Sequence, residues 1–202
     1  MSRVAFLFPG QGSQAVGMGR DLAARYADAR EIFLEADEIL GFALSTLCFE
    51  GHLETLTRTE NTQPALLVTS VAAARVLESR GVRADAGAGH SAGEFAAHVV
   101  AGSLSFEDGL RLIRRRGEAM AGAGQDRPGS MVAVLGLTSD QIDAVLAAVQ
   151  APQDLAAANY NSPGQVVLSG TREALDRASE EAKKAGAKKL VPLQVSAAFH
   201  SP

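Results

Sequence analysis

The chain has 202 residues, 47% of them hydrophobic, and a formal charge of −4 from 19 Lys and Arg against 23 Asp and Glu. This composition fits one large or two small globular domains with a real core, and the acidic balance excludes the dominant basic surface of a general nucleic-acid binder. The single cysteine, Cys48, excludes an intramolecular disulfide and four-cysteine metal sites, and the apolar run before Pro9 is too short for a signal peptide or membrane span, so a soluble cytoplasmic protein is expected.

Val4 to Phe8 is a continuous apolar run ended by Pro9-Gly10 and reads as a buried strand feeding the polar loop Gln11 to Gln14. Apolar and charged positions then alternate at helical spacing from about Met18 to Leu40, with Gly41 as the stop. Asn61-Thr62-Gln63-Pro64 predicts the opening of a long helix, since a first turn does not need the N–H that proline lacks. Leu66, Leu67, Val71, Ala74, Val76 and Leu77 carry its apolar pattern toward Gly81, and Asp85 to Gly89 reads as a short strand. Ser105 resembles an N-cap for a helix running to about Ala121, and a subdomain boundary is expected in the glycine-rich stretch Gly122 to Gly129. Beyond it the order is strand (Met131 to Leu137), helix (Ser139 to Val149), strand (Leu155 to Tyr160), strand (Gln165 to Ser169), helix (Arg172 to Gly186), strand (Lys188 to Val195). This is the β-α-β-β-α-β order of a ferredoxin-like unit, with Asn161-Ser162-Pro163-Gly164 as the turn between its middle strands.

Chemistry concentrates at Gly89-His90-Ser91-Ala92-Gly93. A nucleophilic serine on a sharp strand-to-helix turn needs small neighbours, and Gly89, Ala92 and Gly93 supply them. The helix that follows would aim N–H groups, that of Ala92 especially, at negative charge developing on an attacked carbonyl. A serine hydroxyl also needs a base. Of the four histidines, His52, His90 and His98 read as structural or exposed, whereas His200 follows the last strand of the ferredoxin-like unit, where the chain can return toward Ser91. In Arg114-Arg115-Arg116, helical phase at about 100° per residue sets Phe106, Leu110, Ile113, Gly117 and Met120 on one stripe. Arg115 falls opposite, and Arg116 falls at the edge of the apolar face, where a guanidinium needs an anionic partner. Cys48 reads as core, and Lys183, Lys184, Lys188 and Lys189 read as a solvated basic face.

Taken together, FPGQGSQ from Phe8 to Gln14, NTQPAL from Asn61 to Leu66, GHSAGE from Gly89 to Glu94, RRG from Arg115 to Gly117, NYNSPGQVV from Asn159 to Val167 and the terminal FHSP resemble the malonyl-CoA:acyl carrier protein transacylases, an acyltransferase family of fatty acid and polyketide synthesis. The resemblance implies an α/β fold, with a hydrolase-like parallel-sheet large subdomain (1–127) and an inserted ferredoxin-like α+β small subdomain (128–196), and residues 197–202 returning to the first. It implies that Ser91 attacks the malonyl thioester and that His200 is base, then acid. The N–H groups of Gln11 and Ala92 would form the oxyanion hole, and Arg116 would hold the free malonyl carboxylate. Phe199 would crowd branched acyl groups, and Met120 and Asn161 would line the cleft. Malonyl-CoA is then the substrate and acyl carrier protein the partner, with no metal or redox cofactor, no nucleic acid and no membrane.

Family members continue past the equivalent of His200 with a segment that completes the large subdomain and carries a glutamine loop orienting the histidine. The chain is therefore expected to be an incomplete member, with a complementary chain as a further candidate partner. A serine esterase, and a catalytically weak or inactive fragment that binds a carrier protein or a complementary chain, are the alternative readings.

Overall fold

The computed structural model describes residues 3–193, 195 and 197–202. The chain folds as two compact units, Met1–Ala119 and Met120–Pro202, each with its own sheet.

In the first unit, β1 (Ala5–Phe8) and β2 (Ala86–Gly89) pair in parallel, Ala5 opposite Ala86 and Phe8 opposite Gly89. The expected burial of β1 holds at Phe8 only: Leu7 is 78% exposed, because a two-stranded sheet leaves much of its surface uncovered. Between the strands run α1 (Arg20–Arg25), α2 (Ala27–Leu40), α3 (Leu44–Glu50), α4 (Leu53–Thr57) and α5 (Thr59–Glu78). The single helix expected from about Met18 to Leu40 is broken at Tyr26, whose φ of −128° and ψ of 123° are extended. Tyr26 N–H still closes α1 on the Leu22 carbonyl, and its ring lies under the Arg80 guanidinium at 4.1 Å, so a tertiary contact fixes the bend. Gly41 ends α2 with φ 71°, as expected from the sequence.

Helix α5 begins at Thr59, which puts Pro64 at its sixth residue and not in its first turn. Twelve of its 20 residues are buried, including Thr59, Thr62 and Gln63, because it is packed against α2 on one side and α6 (Gly93–Val100) on another. Leu77, expected on its apolar face, is 40% exposed. Phe33, Leu44, Cys48, Leu56, Leu67, Val68, Val71, Leu110 and Ile113 form the core of this unit.

Helix α7 (Phe106–Asp126) runs through Gly122 and past the expected end near Ala121. In the second unit β3 (Ser130–Leu135), α8 (Ser139–Val149), β4 (Leu155–Ser162), β5 (Gln165–Gly170), α9 (Arg172–Lys184) and β6 (Lys189–Pro192) follow in the anticipated order. The antiparallel sheet has spatial order β4-β5-β3-β6, the arrangement that β-α-β-β-α-β connectivity produces in a ferredoxin-like unit. Thr138 caps α8 through a reciprocal pair with Gln141. One hydrophobic cluster joins the two helices to the sheet through Ile142, Val145, Val166, Leu168, Leu175 and Ala178; a second contains Met131, Ala133, Val167, Ala197 and Phe199. The final strand stops at Pro192, short of the expected Val195; Gln194, within that expected strand, lies outside the described residues. Among the described residues no helix is long and apolar enough to cross a membrane.

Candidate active site

Ser91 sits between β2 and α6 with φ 51°, in the left-handed region where a serine is seldom found. The turn is held from both directions: His90 N–H donates to the Phe8 carbonyl at 3.0 Å, and Glu94 N–H donates to the Ser91 carbonyl at 3.2 Å. The glycines of the motif are steric requirements. A Cβ on Gly89 would lie 2.0 Å from the Gly93 carbonyl carbon, and one on Gly93 would lie 2.2 Å from the Phe8 oxygen. Close packing of elbow, helix and β1 thus fixes the backbone that carries Ser91.

Ala92 is buried at the N-terminal end of α6, where the helix dipole favours negative charge. The parallel register that sets Phe8 beside Gly89 also brings the loop after β1 next to this turn. In that loop Gln11 donates from its side chain to Thr59 Oγ1 at 3.2 Å, and Gln14 Oε1 accepts from Gly12 N–H at 2.8 Å. Gln11 is therefore tied by its side chain to the start of α5, leaving its main chain to define the loop.

Arg116 reaches the site from α7. Its Nη2 donates to Ser91 Oγ at 3.1 Å and its Nη1 to Gln63 Oε1 at 2.6 Å. Burial pushes the guanidinium below its ordinary pKa, and nearby Glu94 partly offsets that. The helical phase of the sequence placed Arg116 at the edge of the apolar face, and there it lies, half-buried between Gln63 and Ser91. Arg115 projects outward and is 81% exposed. Gln63, only 1% exposed, is a site residue that the helical phase does not single out. The available signal was an amide beside a proline inside an apolar helical run.

The remaining candidates belong to the second unit. Phe199 is buried among Met131, Ala133, Val167 and Ala197, with Met120 packed at the edge of that cluster. His200 follows in a turn, exposed, with φ 56°, and Ser201 Oγ donates to the Ala198 carbonyl at 2.9 Å. Asn161 is exposed in β4, at a register shift between Tyr160 and Ser162. Of the other histidines, His52 and His90 are exposed and His98 lies 3.9 Å from Glu94 on the surface of α6. Among the described residues no group of three or more His, Cys, Asp or Glu is placed to hold a metal ion.

Over residues 5–202 the chain matches the family described as the acyl transferase domain. The chain belongs to that family. The malonyl CoA-acyl carrier protein transacylase of Bacillus subtilis (strain 168) is 48% identical to this acyl transferase domain over 202 residues, covering 100% of the chain and 64% of that relative. A crystal structure of an acyl carrier protein S-malonyltransferase from Vibrio cholerae aligns with TM-score 0.92 and 43% identity, covering 98% of this chain and 65% of that one. A malonyl-transacylase solved in complex with a type II PKS acyl-carrier protein aligns with TM-score 0.90 and 42% identity, over 98% of this chain and 64% of that one. This acyl transferase domain thus spans just under two thirds of the length of such relatives, with their α/β architecture.

Proposed function

We propose that this chain carries the site for transfer of a malonyl group from malonyl-CoA to the pantetheine thiol of acyl carrier protein, through a malonyl ester of Ser91, in fatty acid biosynthesis. The observation that carries the proposal is the Arg116 guanidinium at 3.1 Å from Ser91 Oγ. An ester of a three-carbon diacid puts its free carboxylate within reach of a cation already bonded to the ester oxygen, and a guanidinium fork matches a carboxylate with two parallel hydrogen bonds. A neutral acyl group offers no such acceptor, so the same contact selects for malonyl over acetyl.

In this reading Ser91 Oγ bonds to the thioester carbonyl carbon while His200 takes its proton. The tetrahedral oxyanion is held by the N–H groups of Gln11 and Ala92, the carbon–sulfur bond breaks, and His200 returns the proton to the departing thiolate of coenzyme A. The carrier's thiol then attacks the ester by the reverse sequence. The thioester supplies all the activation required, so no cofactor is proposed. Phe199, Met120 and Asn161 are proposed to shape the acyl and pantetheine site. The relative solved with its carrier protein supports acyl carrier protein as partner, and the chemistry fits a cytoplasmic setting.

Intact-mass measurement after mixing the chain with malonyl-CoA tests the proposal. One malonyl adduct is expected on the unaltered chain, none on Ser91→Ala, and its loss on adding holo acyl carrier protein. Arg116→Ala is expected to lower malonyl labelling by about 100-fold, with a much smaller effect on acetyl labelling. Equal loss with both donors would remove the carboxylate role of Arg116.

A further inference from the structure

Pro64 lies inside α5 and has no N–H to give to the carbonyl four residues before it, that of Glu60. That carbonyl accepts instead from Arg114 Nη1, at 2.9 Å. The same nitrogen donates to Asn61 Oδ1 at 3.0 Å, Arg114 Nε donates to Glu118 Oε1 at 2.8 Å, and the guanidinium stands 5.3 Å from the centre of the Phe42 ring. Asn61 is itself oriented by donating from Nδ2 to the Thr55 carbonyl at 2.9 Å.

Arg114 and Arg116 grip the same segment of α5 from opposite flanks. At about 100° per residue, Ile113 and Gly117 point along the contact direction, and the two arginines diverge from it by about 80° on either side. Arg114 takes Glu60 and Asn61, whereas Arg116 takes Gln63. Between them Gly117 allows the helices to close: a Cβ there would stand 2.8 Å from Glu60 Cα and 2.9 Å from the Thr59 oxygen. A helix clasped in this way has little freedom to rotate or slide, so the position of Arg116 at Ser91 depends on the opposite flank.

We infer that Arg114 is a positioning residue: it supplies the hydrogen bond that Pro64 cannot give, and thereby locks α7 on α5 in the register that aims Arg116 at Ser91. Its consequence for acyl selectivity rests on the function proposed above; the register itself does not.

The test compares Arg114→Ala, Arg114→Lys, Pro64→Ala and the Pro64→Ala/Arg114→Ala double variant by two readouts. The first is nitrogen-15 NMR of the Arg116 side chain, which needs no activity; the second is the rate of Ser91 labelling by malonyl-CoA and by acetyl-CoA. Arg114→Ala is expected to speed exchange of the Arg116 guanidinium protons and to lower malonyl labelling by about tenfold, with acetyl labelling changed less than about twofold. Arg114→Lys, which keeps one donor for the Glu60 carbonyl, is expected to fall between, and it carries the test should Arg114→Ala not fold. In the Pro64→Ala background, where an N–H returns to that carbonyl, the effect of removing Arg114 is expected to shrink. Unchanged Arg116 exchange in folded Arg114→Ala, or equal losses for both acyl donors, overturns the inference. A wild-type chain that accepts neither acyl group removes the acyl-transfer reading, and the Arg116 signals then decide the positioning role alone.

Discussion

Arg116 was legible in the sequence because its environment follows from helical phase, a local property. Arg114 has the mirror-image phase, but its partner Glu60 lies 54 residues away, Gln63 meets Arg116 across 53, and no local pattern announces such a meeting. The half-buried Arg116 cation is bonded to two neutral groups. The hydroxyl and the Gln63 amide are neutral acceptors, so a carboxylate that displaces one of them gives the guanidinium an anionic partner and two parallel hydrogen bonds in place of one. Cys48 illustrates burial acting on an acid. Its thiol is fully buried and pushed up from 9.0 to about 12, first by burial and then by Asp37. The folded-state value lies above the unfolded one, so the stabilisation is complete below pH 9 and is lost as pH rises toward 12 and the unfolded chain ionises. The expected loss is on the order of 1 kcal/mol per pH unit in that window. Urea unfolding of the wild type and Cys48→Ala should show a constant difference below about pH 8 and a shrinking one by about pH 11. A difference that stays constant throughout would contradict the shift.

At the level of elements, the strand-turn-helix around Ser91 was readable because its requirement for small residues is written in consecutive positions. Two competing effects act at Gly93. Alanine is the better helix former by about 1 kcal/mol, but a Cβ there would come within 2.2 Å of the Phe8 oxygen, which belongs to a paired strand and cannot easily yield. The steric effect should win: Gly93→Ala is expected to lower stability by about 3 kcal/mol, read as a shift in urea midpoint. A stabilised variant would mean that β1 and α6 have room to move apart. The ferredoxin-like order was equally legible, since alternating periods and strong turns punctuate it. What escaped the sequence was set by tertiary contact. Tyr26 leaves the helical conformation under Arg80, and α5 starts before Pro64 because Arg114 serves the carbonyl that proline leaves behind.

For the whole molecule, the parallel pairing of β1 with β2 has two effects. The first is exposure: Leu7 is 78% exposed on the two-stranded sheet, and exposed apolar surface favours association. Leu7→Ser is expected to reduce light scattering at high protein concentration while changing unfolding free energy by less than about 0.5 kcal/mol. Undiminished scattering would place the sticky surface elsewhere. The second effect concerns time. Val4 and Asp85, joined by a hydrogen bond at 2.8 Å, are 81 residues apart, and parallel strands cannot be joined by a tight hairpin. During synthesis at about 5 to 20 residues per second, β1 therefore waits roughly 4 to 16 seconds for its partner to be made. The turn bearing Ser91 is anchored on the Phe8 carbonyl, so the geometry of the proposed nucleophile is completed only when a strand made about 80 residues earlier meets its partner.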